Sequence, residues 1–402
     1  MNPDQPRPAC CVAVVSPFID KRHGTERRIA EWISRLGSEY KVHIYSQRVE
    51  DVDLSGMCWH RIPVLPGPGL INFMWWFLAN HLWRWWDRHV RGIHHELVFT
   101  AGTNCLDADV ISIHIVFAEF LRQTRAELAF SRNPVRFWPR LFHRRLFYRL
   151  LIFLERRMYT NPNTALILIA RKTAEDLNRL YGRNGSLPVV YIGLDHRIYN
   201  PQSQKKNHLE AREQLGVDRG KFVLLLVGND WRKKGLFTLL EVLHKLKELP
   251  LLLLVAGKDD SYPYLRKIET LGLEWKVRFL PSRSDIEWYY AAADVYVGPS
   301  LEDTFAQPPA EAMACGLPVI TSATNGTAEI ITDGVDGLIV RDPNDAEDLA
   351  NKVRLLYERL DLRRSLGDNA VRTAQKYTWD RNGEEIRAIF AQIRIRKQRS
   401  LN

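Results

Sequence analysis

Along the chain, short apolar runs rich in β-branched residues and leucine alternate with stretches whose apolar positions recur every three or four residues. The runs at 11–15, 41–45, 96–100, 109–114, 165–169 and 189–192 predict strands, and the periodic stretches at 26–36, 117–129 and 172–181 predict helices between some of them. After Tyr199-Asn200-Pro201 comes a polar stretch, 202–208, and the alternation then starts again. Strands are predicted at 222–227, 251–256, 277–280, 295–297, 318–321 and 337–340, with helices at 237–246, 264–271, 285–292, 309–315 and 346–356. Strands separated by helices form parallel sheets covered on both faces. Two such blocks predict two doubly wound α/β domains, 1–198 and 199–378, and a last helix over 379–402 that comes too late for the second sheet. There is no 20–50-residue repeat and no GxGxxG fingerprint.

Length and composition narrow the class. A chain of 402 residues is too long for one ordinary core, and 46% hydrophobic with 26% charged residues excludes a largely disordered or polytopic membrane protein. Five cysteines, at 10, 11, 58, 105 and 315, are an odd number without metal-ligand spacing. That predicts neither disulfides nor zinc and points to a reducing compartment. The polar, proline-rich start, 1–8, lacks the order of a signal peptide, so a cytoplasmic chain is expected.

The formal charge of +10 is concentrated. Between Arg122 and Arg157 ten arginines face only Glu127 and Glu155, with apolar residues interleaved at helical spacing. A second unusual segment, 70–86, holds five of the twelve tryptophans. It is too short and too polar to span a bilayer. Tryptophan with arginine suits a headgroup region or a lipid-linked substrate; core packing under a solvated charged face is the other reading. Nucleic acid is disfavoured as a partner, because no helix-turn-helix, RRM or zinc-finger pattern accompanies the arginines.

Ligands of open parallel sheets bind beyond the carboxyl ends of the strands. After the run at 222–227 comes Gly228-Asn229-Asp230-Trp231-Arg232-Lys233-Lys234-Gly235, opening a helix: a glycine turn, cations and a helix N-terminus, which together attract phosphate. A solvated basic loop is the alternative. It is not a P-loop, which ends in GK followed by Ser or Thr. After the run at 295–297 a loop carries Asp303, then Phe305, Ala306 and Gln307, and prolines 308 and 309 start a short helix bearing Glu311. Such carboxylates suit sugar hydroxyls, or mere capping. Asp259-Asp260 also follows a strand, and Lys258 beside it suggests donor contact rather than metal. Asp107-Ala108-Asp109 reads as structural, Cys315 as core and His94-His95 as surface.

At these motifs the sequence resembles glycosyltransferase family 4, the group 1, retaining nucleotide-sugar transferases of GT-B fold. Pro17-Phe18 through His23-Gly24-Thr25-Glu26-Arg27 is similar to that family's N-terminal glycine loop, and Asp109 to His114 to its strand ending in a cleft histidine. Gly193-Leu194-Asp195, Asn325 to Ile330 and Asp333 to Leu338 are similar to later signatures. The resemblance implies two Rossmann-like domains facing across a cleft, the final helix packing back on the N-terminal one. It implies that Arg232 and Lys234 bind the donor diphosphate beside Gly228, and that Glu311 holds the ribose. Asp303, with the backbone of Phe305 to Gln307, would hold the transferred sugar, His114 would lie against it, and Gly24 would let its loop approach the diphosphate and acceptor. Two departures stand out: Asp303 replaces the family's first glutamate, with Glu302 next to it, and Asn229 replaces an arginine.

The expected reaction moves a sugar from a nucleotide-diphosphate sugar to an acceptor hydroxyl with retention, with no metal and no cofactor beyond the donor itself. A lipid-linked or cell-envelope glycan acceptor is expected, with peripheral contact to anionic membrane on the inner face of the plasma membrane. A same-fold transferase on a soluble acceptor, an NDP-sugar epimerase and a non-catalytic sugar-nucleotide-binding protein are the alternatives.

Overall fold

The computed structural model describes residues 10–401 apart from 22–23, 37–39, 125–127, 129, 133 and 186. His23 of the N-terminal loop, Arg125 and Glu127 of the basic segment, and the opening 1–9 therefore lie outside the described residues. The chain divides into two units, 1–191 with 380–402, and 192–379. Each is built on a six-stranded parallel sheet, and both sheets have one strand order.

In the first unit the strands are β1 (Cys10–Val15), β2 (Tyr40–Ser46), β3 (Cys58–Arg61), β4 (Leu97–Ala101), β5 (Val110–Ile113) and β6 (Ala165–Leu168). In the second they are β7 (Phe222–Val227), β8 (Leu251–Ala256), β9 (Val277–Leu280), β10 (Val295–Gly298), β11 (Val319–Ser322) and β12 (Leu338–Val340). The order is β3-β2-β1-β4-β5-β6 in one and β9-β8-β7-β10-β11-β12 in the other, the doubly wound Rossmann arrangement. Both units are thus Rossmann-like, as in GT-B proteins.

Successive residues of β1 serve opposite cores, because side chains alternate across a strand. Val12 and Val14 join Trp32, Phe99 and Phe390, whereas Ala13 and Val15 join Trp76, Met158 and Tyr159. The first core is closed by α1 (Gly24–Leu36) and by the last helix. On α1, Ile29, Trp32, Ile33 and Leu36 repeat at helical spacing and are buried.

The second core is closed by α2 (Gly69–His89) and α4 (Trp138–Tyr159), which flank α3 (Phe117–Thr124). The segment at 70–86 is therefore a single helix, with Trp76 buried and Trp85 and Trp86 exposed. Pro139 lies in the first turn of α4, where a missing N–H costs nothing. After α5 (Lys172–Tyr181), the strand expected at 189–192 is only a single bridge, Val189 to Leu168.

The polar stretch after Pro201 is α6 (Pro201–Gln214), capped by the Asn200 side chain, which accepts from Ser203 N at 2.8 Å. It was hidden from hydrophobic periodicity because only Ala211 and Arg212 are buried along it. The second unit continues with α7 (Leu236–Lys245), α8 (Tyr262–Leu271), α9 (Glu287–Ala292), α10 (Gln307–Ala314), α11 (Ala346–Glu358) and α12 (Leu360–Ala374). The final helix, α13 (Trp379–Leu401), returns to the first unit, where Ile386, Phe390 and Ile393 enter the core.

One buried acid ties α3 to α4. Glu155 accepts from the Phe117 and Ala118 amides at 2.6 and 3.1 Å and from the Tyr181 hydroxyl at 2.7 Å. Burial outweighs these bonds and raises its carboxyl from 4.5 to about 7. The folded state thus favours the protonated acid, a contribution full below about pH 4.5 and lost as pH rises to about 7. Denaturant titrations should show the wild-type chain losing about 3 kcal/mol relative to Glu155→Gln between those pH limits. A pH-independent difference between the two proteins refutes this coupling.

Candidate active site and its surroundings

At the carboxyl end of β7 the chain turns through Gly228 and Asp230, both in the left-handed region at φ 142° and 56°, and reaches Gly235 at 82° before α7. Gly228 has a steric reason: a Cβ there would sit 2.9 Å from Cε of Lys234, whose alkyl chain lies over it. The Lys234 ammonium is thereby aimed at Asp303 and forms an ion pair with its carboxylate. Lys234 is 14% and Asp303 22% exposed by side chain, so the pair is mostly shielded yet reachable.

Asp303 owes its position to Asn325. Its carbonyl accepts from Gly326 N at 3.0 Å and its amide donates to Thr324 O at 3.3 Å, while Asn325 Oδ1 accepts from Ala306 N at 3.2 Å and Thr327 N at 3.1 Å. The same loop is tied to the glycine turn by Leu301 N donating to Lys233 O at 2.7 Å. Beyond it, buried Glu311 accepts from Tyr290 OH at 2.8 Å. Burial first, then the Glu311 charge, holds the Tyr290 phenol well above its ordinary value, so the tyrosine donates. Sequence reasoning missed Tyr290, which lies 21 positions upstream with no motif around it.

The start of α10 offers few amides to an anion. Pro308 and Pro309 have none, and that of Ala306 is engaged by Asn325, which leaves Gln307 in the first turn. Phe305, just before this turn, is buried. Gly228, Lys234, Asp303, Phe305 and Ala306 are thus held on interlocked loops beyond the carboxyl ends of β7 and β10, and Gln307 and Glu311 on the helix that follows, α10.

Arg232 and Lys258 lie on the turns that follow β7 and β8. Arg232 lines a hollow of about 580 Å³ with Asp230, Asp259, Asp260, Pro263 and Tyr264. Asp259 accepts from Trp231 N at 2.7 Å, and the amide of exposed Lys258 donates to Asn229 Oδ1 at 2.7 Å, so these acids and Asn229 brace the turn. Among the described residues no His, Cys, Asp or Glu group has the arrangement of a metal site.

In the first unit Gly24 is exposed and opens α1, and His114 follows β5 directly. Its Nδ1 lies 3.2 Å from the Thr25 hydroxyl and its Nε2 3.0 Å from that of Ser112. Burial, reinforced by the charge of Arg28, holds the imidazole well below its ordinary pKa, so it is neutral at physiological pH.

Other sequence candidates resolve into structure. Asp107 pairs with Arg84; Asp109 accepts from Val98 N at 2.8 Å and pairs with Lys397 at 2.8 Å. Cys315 is buried among core residues. His95, expected at the surface, instead packs edge-on against His43, with Nε2 3.3 Å from Tyr45 OH. Burial pushes its imidazole down to about 4. Both neighbours lie on β2, 50 positions or more upstream, which spacing along the chain does not reveal.

Ile71, Met74, Leu78, Leu82 and Trp85 of α2 all lie near half exposure, at a spacing that puts them on one face. Adjacent α4 exposes Trp138, Phe142, Leu146 and Phe153 among Arg140, Arg144, Arg149, Arg156 and Arg157. The two helices meet at Phe73 and Phe147, whose rings are 5.4 Å apart. No helix among the described residues is long and apolar enough to cross a membrane.

Lys234, Asp303 and Glu311 fall in one stretch of known kinship. Residues 207–373 match the family model for glycosyl transferases group 1. That match lies wholly in the second unit. A D-inositol 3-phosphate glycosyltransferase of Xylanimonas cellulosilytica is 30% identical over 242 residues, 58% of this chain and 58% of that protein. An N,N'-diacetylbacillosaminyl-diphospho-undecaprenol alpha-1,3-N-acetylgalactosaminyltransferase of Campylobacter jejuni is 30% identical over 215 residues, 52% of this chain and 56% of that one. The chain therefore spans less than two thirds of either relative. The solved structure of WaaG, a glycosyltransferase involved in lipopolysaccharide biosynthesis, superposes with TM-score 0.75 at 21% identity, covering 94% of this chain and 99% of that one. It has the same fold.

Proposed function

We propose that this chain is a retaining, metal-independent glycosyltransferase of family 4. It would move a sugar from a nucleotide-diphosphate donor to a hydroxyl of a lipid-linked or cell-envelope acceptor at a membrane surface. The observation that carries this reading is the Lys234–Asp303 pair on interlocked loops, with buried Glu311 on the helix that follows the Asp303 loop. A cation that can turn from a carboxylate to a diphosphate, next to acids that accept from hydroxyls, is what an activated sugar requires.

In the proposed reaction the bond from the anomeric carbon to the diphosphate oxygen breaks, and the acceptor oxygen forms its bond on the same face. The acceptor proton passes to the departing phosphate oxygen, so no protein carboxylate need act as nucleophile. Lys234 and Arg232 offset the charge that develops on the diphosphate, Asp303 orients sugar hydroxyls, and Glu311 holds the ribose with its geometry fixed by Tyr290. Gly24 and His114 serve the acceptor and the transferred sugar from the first unit.

The acceptor half of the proposal rests on the exposed apolar and arginine-bearing faces of α2 and α4, whose chemistry matches anionic headgroups over acyl chains. Two measurements test the whole. In a panel of UDP-, GDP- and ADP-sugars, one class should raise the melting temperature, with about 2.7 kcal/mol of stabilisation at a hundredfold excess over its Kd. Co-sedimentation with phosphatidylglycerol vesicles should be strong at low salt and weaker at high salt, and should fall on replacing Trp85 and Trp86 by alanine. Silence of the whole sugar panel, with no turnover, sinks the donor assignment; salt-independent absence from vesicles sinks the membrane one.

A further inference from the structure

Three histidines of the first unit, none of them used by the proposed reaction, share one buried hydrogen-bonded cluster. His43 and Tyr45 come from β2, His60 from β3, Asp87 from the last turn of α2 and His95 from the stretch before β4. Tyr45 and His60 are paired in register and stack with centroids 4.4 Å apart; His43 lies 5.1 Å from His60 and 5.3 Å from His95. Asp87, 1% exposed, accepts from the Tyr45 hydroxyl at 2.7 Å and from Arg91 at 3.0 Å, and its Oδ2 lies 2.8 Å from Nδ1 of His60.

These bonds fix where the protons sit. A carboxylate only accepts, so Nδ1 of His60 carries the hydrogen. Its Nε2 is then bare in the neutral ring and accepts from Nδ1 of His43 across 2.9 Å. Tyr45 gives its hydrogen to Asp87, so its oxygen accepts from Nε2 of His95 at 3.3 Å. One lone pair is left over: Nε2 of His43 is buried and has no partner among the described residues.

A proton arriving there meets mostly positive charge. Lys41 of β2, Arg84 of α2 and Arg91 all act on these rings, Arg84 being itself paired with Asp107. The thiols of Cys11 on β1 and Cys58 on β3 are further titratable neighbours. Among the described residues Asp87 is the one carboxylate in contact with the cluster, and Tyr45, His60 and Arg91 already occupy it. Burial, then the neighbouring imidazoles, lowers His43 and His95 to about 4, and burial lowers His60 against the pull of Asp87.

We propose that His43, Tyr45, His60, Asp87 and His95 form an acid-operated latch, which holds the end of α2 to the first sheet while the three rings are neutral and lets it go when they take up protons from solvent. Exposed histidine titrates near 6.5, above the folded values, so the opened chain binds more protons. The hold is complete above about pH 6.5 and weakens toward about pH 4, by about tenfold per histidine for each pH unit. Trp85 and Trp86, both exposed, directly precede Asp87, so the turn that is let go is the one that carries them. The latch stands on the first unit alone, whatever the chain transfers.

Hydrogen exchange of the full chain, read by mass spectrometry at pH 7.5 and 5.0 and corrected for intrinsic rates, tests it. Protection over 84–96 should fall by about a hundredfold or more at the lower pH, while that of β7 and β8 is unchanged. His43→Asn with His95→Gln keeps an amide nitrogen to replace Nδ1 and Nε2 as donors but cannot take up a proton; there the fall should shrink by at least about tenfold. Where that double variant does not fold, 15N spectra of histidine-labelled wild-type protein at pH 7.5 decide. Hydrogen on Nδ1 of His43 and His60 and on Nε2 of His95 supports the latch; hydrogen on Nε2 of His43 overturns it. Protection over 84–96 that is equal at the two pH values, a loss shared by the second unit, or an undiminished loss in the folded double variant overturns it as well.

Discussion

Replacing Lys234 by alanine should lower kcat for sugar transfer by about 10²–10³-fold, the usual effect of removing one preorganised donor to developing negative charge. The lysine is preorganised on both sides. Its stem is seated on Gly228, and its ammonium is paired with Asp303. In the free protein the pair offsets two charges in a partly shielded place; on the proposed reading, a donor's diphosphate would compete for the ammonium and release Asp303 toward sugar hydroxyls. Lys234→Arg should rescue little, because a planar guanidinium does not reproduce a compact ammonium at the end of that narrow track. Steady-state kinetics with the donor found in the panel, together with UDP titrations, decide the point. A kcat within about threefold of wild type removes Lys234 from the reaction, since a donor in the transition state contributes far more.

The second large effect concerns the backbone. Gly235 has φ 82°, and a Cβ placed there would lie 2.1 Å from the Pro299 carbonyl oxygen and 2.9 Å from its carbon. The obstacle is main chain, so no rotamer relieves it. Gly235→Ala should destabilise the second unit by about 3 kcal/mol or more, combining left-handed strain with the clash. Any relief must push the 298–305 loop away and take Asp303 with it, so donor affinity should fall as well. Gly272→Ala is the control. That residue also has a left-handed φ, 64°, but nothing lies within 4 Å of its Cβ position, and a loss of about 1 kcal/mol is expected. Equal melting temperatures for the two variants contradict the close approach at Pro299.

Much of this architecture is legible along the chain because parallel strands are apolar throughout. The run at 222–227 is β7 to the residue, and that at 251–256 is β8. What failed to show had little apolar signal to give. Helix α6 buries two residues of fourteen, so only its Asn200-Pro201 start marks it in the sequence. Residues 189–192 are apolar enough for a strand yet make a single bridge.

At the site, chain order brings out the loops but not their pairings. Lys234 and Asp303 are 69 positions apart, and their contact depends on Gly228 and Asn325. Prolines 308 and 309 were visible as helix starters; that they also strip the helix tip of donors emerges once Ala306 is seen bonded to Asn325.

The first unit is discontinuous, completed by 380–402, whereas the second is one continuous stretch, 192–379. On the ribosome, therefore, residues 192–379 emerge as a whole while the earlier 191 still wait for α13 to bring Ile386, Phe390 and Ile393 to Trp32. Until nearly 200 further residues have been translated, the apolar side of α1 lacks its partner, so of the two units the one that comes earlier in the chain is completed later.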